Sequence, residues 1–377
     1  MTSRTAEARL ADRYTTSDLA TVAPFVRGPL SVSSAMHSVL LAATPCVVMA
    51  LYNTGLQANL GLLAGHRGSG WRANFIEAWG QPAPANLLDC VAVGALFFVP
   101  LLVVTWLSAG LCELGFARGR GRPANHVALP VIALLFTLSL PASLPLWQAA
   151  VGIAVGVVIG KEIFGGFGRN FLNPVVVGLA FLYFAYPGSL DAVAAFPPEA
   201  SAAGGTVLAM AARSGMEGLG AAGFTWSSLA IGNVPGAMGE TSALACLIGL
   251  AVLLYSRVAS WRIIAGGSLG LLLGTWGLSS LPSPMAELPW HWHLVSGSFA
   301  FGLVYLATDP VTSAATNPGR WLYGALIGSF VAVVRIANPA HQDGVLLALL
   351  LGSVCAPLLD RASALVLARV HRATRVS

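Results

Sequence analysis

The side chains able to do chemistry in this chain are few, and they gather where its apolar character lapses. The longest lapse is Lys161-Glu-Ile-Phe-Gly-Gly-Phe-Gly-Arg-Asn-Phe-Leu-Asn-Pro174, which holds the only lysine of the 377 residues. Its amides, Asn170 and Asn173, each offer an acceptor and two donors to a ligand edge. Gly165, Gly166 and Gly168 let the backbone bend or approach a bound group closely. Pro174 suits the first turn of a helix. A second lapse, Thr308-Asp-Pro-Val-Thr-Ser-Ala-Ala-Thr-Asn-Pro-Gly-Arg320, repeats the Asn-Pro, the arginine and the apolar run that follows. Two interruptions in corresponding places point to a site between two membrane repeats. Two ordinary loops would look the same in sequence.

Carboxylates are sparse. Glu113 lies near one end of a long apolar run, where a charge is costly unless it faces the bundle interior or water. Ala109 and Gly110 beside it suit close helix packing or a flat ligand. An interfacial acid pairing with Arg118 is the plainer reading of Glu113. Asp360 ends the last apolar run next to Arg361, where a boundary charge is expected, and Asp309 reads as a turn cap before Pro310. Trp290-His291-Trp292-His293 reads as an interfacial anchor; histidines at i and i+2 do not share a helix face, so a metal site is not expected there. Gly204-Gly205-Thr206 exposes a hydroxyl among small residues and by itself implies only a flexible turn. The five cysteines are scattered through apolar runs and read as small buried hydrophobes. No Walker loop, dinucleotide fingerprint, zincin motif or nucleophile elbow occurs in a plausible context.

The elements that must position these residues are apolar. Hydrophobic residues make up 56% of the chain and charged residues 9%, with mean hydropathy +0.75. Soluble domains carry about 25% charged residues. The expectation is an all-α polytopic membrane protein with ten transmembrane helices. They are expected near 35–53, 87–116, 127–144, 147–164, 174–187, 241–256, 262–279, 291–308, 321–337 and 343–360. The organisation is then an N-terminal arm (1–34), a first five-helix unit (35–187), a long Gly/Ala/Ser/Pro-rich outer loop (188–240), a second five-helix unit (241–360) and a basic tail (361–377). The arm lacks a basic-then-apolar pattern, so no cleaved signal peptide is expected. Of the 20 basic residues, all but Arg67, Arg72, Arg213 and Arg335 fall on the side of the two termini. The positive-inside rule therefore puts both termini in the cytoplasm and the 188–240 loop outside. An odd number of spans per half implies an inverted 5+5 repeat. The net charge of +5 sits in loops and tails and is no nucleic-acid signature. Residue chemistry alone leaves a transporter, a channel and a redox subunit equally open.

Several segments narrow this. Leu144-Pro-Leu-Trp-Gln-Ala-Ala150, Lys161-Glu-Ile-Phe-Gly-Gly166, Asn170-Phe-Leu-Asn-Pro174, Ile231-Gly-Asn-Val-Pro-Gly236, Val258-Ala-Ser-Trp-Arg-Ile-Ile264, Pro289-Trp-His-Trp-His-Leu294 and Ala307-Thr-Asp-Pro-Val311 resemble the family of B subunits (NqrB) of sodium-translocating NADH:quinone oxidoreductases. The D subunits of Rnf complexes share the Thr-Asp-Pro-Val and Asn-Pro-Gly-Arg parts. The resemblance implies an inverted repeat of the urea-transporter kind in a bacterial inner membrane. It implies FMN joined through its phosphate to a threonine, here Thr206 in Ala203-Gly204-Gly205-Thr206, where the family motif reads Ser-Gly-Ala-Thr. It further implies riboflavin at Asn170 and Asn173, a quinone region at Ala109 and Gly110, and sodium uptake at Glu113 and Asp360. The implied partners are the A, C, D, E and F subunits of the complex, ubiquinone, Na+ and lipid, with electrons passing from FMN through riboflavin to ubiquinone as Na+ is exported. An Rnf-type subunit serving a ferredoxin:NAD oxidoreductase and a stand-alone urea-transporter-like channel are the rival expectations.

Overall fold

A computed structural model describes residues 32–63, 71–79, 83–121, 127–190, 206–338 and 343–376. The arm at 1–31 and Ala203, Gly204 and Gly205 of the threonine motif lie outside these ranges. Among the described residues every regular element is helical and there is no strand.

Four helices are individually long and apolar enough to cross a bilayer: α1 (Val32–Leu63), α3 (Leu87–Gly119), α13 (Asn317–Ala337) and the first part of α14 (Val345–Val376). The chain is thus a polytopic helical membrane protein. Between them lie α2 (Trp71–Trp79), α4 (Leu129–Leu138), α5 (Leu146–Val157), α6 (Pro174–Ala185), α7 (Val207–Ala221), α8 (Trp226–Ile231), α9 (Ala243–Tyr255), α10 (Trp261–Gly277), α11 (Trp290–Val295) and α12 (Phe299–Phe301).

Several expected spans are shorter or broken. The apolar run 127–144 is helical only over α4, whose 10 residues cover about 15 Å, half the hydrocarbon core. Short helices are tolerated at membrane depth when protein satisfies their free ends. Here the N–H of Gly239 donates to Leu138 O at 2.7 Å and that of Met238 to Leu140 O at 3.1 Å. Asn53 Nδ2 of α1 donates to Val234 O at 2.9 Å. The last part of the expected outer loop is therefore core: Leu229, Val234 and Met238 are buried, as are Thr241 and Ser242 just beyond it. Its described earlier part is largely helical, in α7 and α8. The run 291–308 is broken into α11, α12 and a π turn. At the other end α14 continues helical through Asp360 to Val376.

Both polar lapses have one local design. A π turn leads into each, Val158–Glu162 after α5, which ends on the first two residues of its lapse, and Gly302–Leu306 after α12, and a helix with proline in its first turn follows each. Asn173 caps α6, accepting from Val175 N, and Thr316 caps α13, accepting from Gly319 N. Gly165, Gly166 and Gly168 all have positive φ, which a β-carbon would oppose.

The most extensive helix pair is α10 with α13. A β-carbon on Gly324 or Gly328 would overlap the carbonyl oxygen of Ile263 or Gly267, so these helices touch backbone to backbone. The α1–α3 crossing at Gly55 and Gly94 is built the same way. Helix α1 also meets α9 where Cys46 Sγ lies 3.8 Å from Cys246 Sγ, 200 residues on, and Tyr305 OH donates to Ala42 O at 2.7 Å.

Candidate functional site

The chemistry-bearing residues fall at the two ends of α4 and α6. At one end, the starts of α4 and α6 (Ala128, Val131; Asn173, Pro174) meet α1, Tyr305 and Asp309 around a cavity of about 50 Å³ that Asn170 also lines. At the other end, Ser139 and Pro141 beyond α4 and Tyr183 of α6 line a larger cavity, about 470 Å³, together with Thr206, Arg213, Glu240, Ser298 and Asp343. The 12 residues of α6 put about 18 Å between the two.

The two polar lapses touch at the small cavity. Asn173 Nδ2 donates to Asp309 Oδ2 at 3.4 Å. Asp309 also accepts from Val311 N at 3.2 Å and from the Thr312 hydroxyl at 2.9 Å, so it caps its turn as the sequence implies. Burial pushes the Asp309 carboxyl above its usual range, and those two donors offset this only in part. Asn170 serves its own loop, accepting from Gly168 N and donating to Leu172 O. Both amides are engaged, and 50 Å³ holds a few waters. The cavity that Asn170 and Asn173 line has no room for a flavin ring as it stands.

Glu113 is 4% exposed, and its partner is not Arg118. Lys161 Nζ, 1% exposed, donates to Glu113 Oε2 at 2.8 Å and lies 3.6 Å from Glu162 Oε1. Arg120 holds Glu162 from the other side at 3.3 Å. Ala109, one turn before Glu113 on the same face of α3, is fully buried, and the side chain of Leu129 lies over Gly110. Asp360 has different partners: Oδ1 accepts from Thr316 N at 2.8 Å and the Thr316 hydroxyl at 2.6 Å, and Oδ2 accepts from Ala315 N at 2.8 Å. Three donors converge on this carboxylate at the start of α13, where an anion also suits the helix dipole.

Thr206 caps α7, its Oγ1 accepting from Ala209 N at 3.2 Å. A phosphate ester on that oxygen would stand at a helix N-terminus, a setting that favours anions. Arg213 lies on the wall of the same cavity, whose volume is in the range of ligand pockets. FMN therefore fits the residues around Thr206.

Sequence reasoning missed the Lys161–Glu113 pair, although Lys161 stood out as the only lysine. Position i+5 is not a neighbour on a helix face, and this argues against Arg118 from spacing alone. It also missed the buried Arg335, whose guanidinium donates to Asp343, His293 O and Ser296 O. His293 is buried and His291 exposed, so the two rings face different surroundings.

A helical membrane frame, paired polar lapses and a threonine heading a helix beside a ligand-sized cavity define the class. The chain belongs to the NQR2, RnfD, RnfE family, whose model matches residues 19–365. Within that class it is similar to the Na(+)-translocating NADH-quinone reductase B subunit of Azotobacter vinelandii, 44% identical over 89% of this chain and 85% of the relative. It is similarly related to the proteins of that name from Pseudomonas aeruginosa (44% identical; 89% and 85% covered) and Chromohalobacter salexigens (43%; 89% and 82%).

Proposed function

We propose that this chain is the membrane-embedded NqrB component of a sodium-translocating NADH:quinone oxidoreductase, with FMN esterified through its phosphate to Thr206. The observation that carries the reading is the place of Thr206, at the head of α7 on the wall of a cavity of about 470 Å³. The relatives, each named as a B subunit of the quinone reductase, support it over an Rnf-type role. When bound, FMN supplies electron carriage between a partner protein and the quinone side. The chain's own residues would hold it: the first-turn N–H groups of α7 and Arg213 favour a phosphate. Glu113 serves Na+ at the other end of the fold, beside a quinone region at Ala109 and Gly110. Asp360 holds the start of α13 in register for the same path. The paired π turns and proline-started helices support an inverted 5+5 repeat of the urea-transporter kind. The arginine distribution supports cytoplasmic termini in a bacterial inner membrane, with the A, C, D, E and F subunits, ubiquinone and lipid as partners.

The test is flavin fluorescence that survives denaturing electrophoresis. The chain co-expressed with its complex and a flavin-attaching enzyme is expected to show a fluorescent band, and Thr206→Ala to lose it. A band that persists in Thr206→Ala, or none in the parent chain, would refute the assignment.

A further inference from the structure

Glu113, Lys161 and Glu162 make a buried arrangement that no packing need explains. Lys161 Nζ contacts one oxygen of each carboxylate, at 2.8 and 3.6 Å. The remaining oxygen of Glu113, Oε1, is buried and has no hydrogen-bond partner. A bare carboxylate oxygen in such a place is costly unless something else binds it in another state. The lysine stands on the π turn Val158–Glu162, a local geometry frequent at functional sites. The glycines that follow at positive φ give the backbone room to re-set.

We propose that Lys161 is a built-in competitor at the Glu113 sodium site: its ammonium bridges Glu113 and Glu162 in this conformation, and Na+ takes its place between the two carboxylates when Lys161 withdraws. An ammonium is a compact point charge, and an alkali cation takes oxygen ligands of the kind offered here. Both oxygens of Glu113 and Oε1 of Glu162 supply three, and water completes the shell. Lys161 and Na+ carry the same charge, so exchange leaves neither buried carboxylate without a counter-charge. The choice of Na+ rests on the sodium-translocating reading above; the lysine's role as a competitor is the new element.

The experiment compares thermal unfolding of the detergent-solubilised complex in sodium chloride and in choline chloride at equal ionic strength. Lys161→Met is expected to gain a saturable, sodium-specific rise in the unfolding midpoint of this chain that the parent lacks. Adding Glu113→Gln is expected to abolish that rise. No sodium-specific rise in Lys161→Met, or a rise that survives Glu113→Gln, overturns the proposal. Should Lys161→Met fail to assemble, Lys161→Arg decides. Its fork holds a carboxylate through two bonds, so half-maximal quinone reduction should need about tenfold more Na+, equivalent to ~1.4 kcal/mol. An unchanged sodium requirement overturns the competition. The covalent flavin band, read on the same samples, reports separately on the FMN assignment.

Discussion

Removing the Asp360 carboxylate tests what holds the second polar lapse. In Asp360→Ala, Ala315 N, Thr316 N and the Thr316 hydroxyl all lose their acceptor at the head of α13. Hydrogen bonds to a charged acceptor contribute about 1.5–3 kcal/mol each, and partial exposure lets water replace some of them. A net loss of ~2–4 kcal/mol follows, on the scale of a cap loss compounded by a stranded donor. Asp360→Asn is intermediate: its one oxygen serves Thr316, while its NH2 is turned toward the Ala315 N–H. The expected order of stability is parent, Asn, Ala. The assay is thermal unfolding in detergent with and without sodium, and Thr316→Val closes a double-mutant cycle with Asp360→Ala. Asp360→Ala unfolding with the parent would refute the capping argument. A loss seen only when sodium is present would make Asp360 an ion ligand instead.

A β-carbon at Gly328 would overlap the Gly267 carbonyl, so Gly328→Ala should separate α10 from α13 and cost about 1–3 kcal/mol, read as a lowered unfolding midpoint. Burial raises the Asp309 carboxyl in the folded chain, so between the unfolded value of about 3.9 and its folded value the native state binds the extra proton. Its contribution therefore declines as pH climbs through that window. Asp309→Asn should flatten that part of the stability–pH profile, measured as unfolding midpoint against pH.

What the sequence disclosed was local. Asn173-Pro174 and Asn317-Pro318 announce helix starts because proline pre-sets the first turn, and the glycines at 165, 166 and 168 adopt the positive φ their type permits. Asp309 before Pro310 reads as the turn cap it is. The site was less legible because its contacts are distant in the chain. Nothing local ties Lys161 to Glu113, 48 residues away, or Asn173 to Asp309, 136 residues away. Hydropathy also overstates span length: residues 127–144 carry no charge and only Thr137, Ser139 and Ser143 as polar side chains, yet the helix stops at Leu138, with Pro141 and Pro145 ahead. An apolar window does not show that a protein-lined interior, and not lipid, surrounds it.

The hydrogen bonds from Met238 and Gly239 to the end of α4 bear on how the chain is made. Ribosomes deliver α4 about a hundred residues before those donors exist, at the roughly 5–20 residues per second of synthesis. Until then the carbonyls of Leu138 and Leu140 lack the two N–H donors that satisfy them in the finished fold. Buried carbonyls of this kind need water or another partner until those donors arrive. Nascent chains stalled before residue 238 should be open to protease attack near Pro141, and chains stalled beyond it protected.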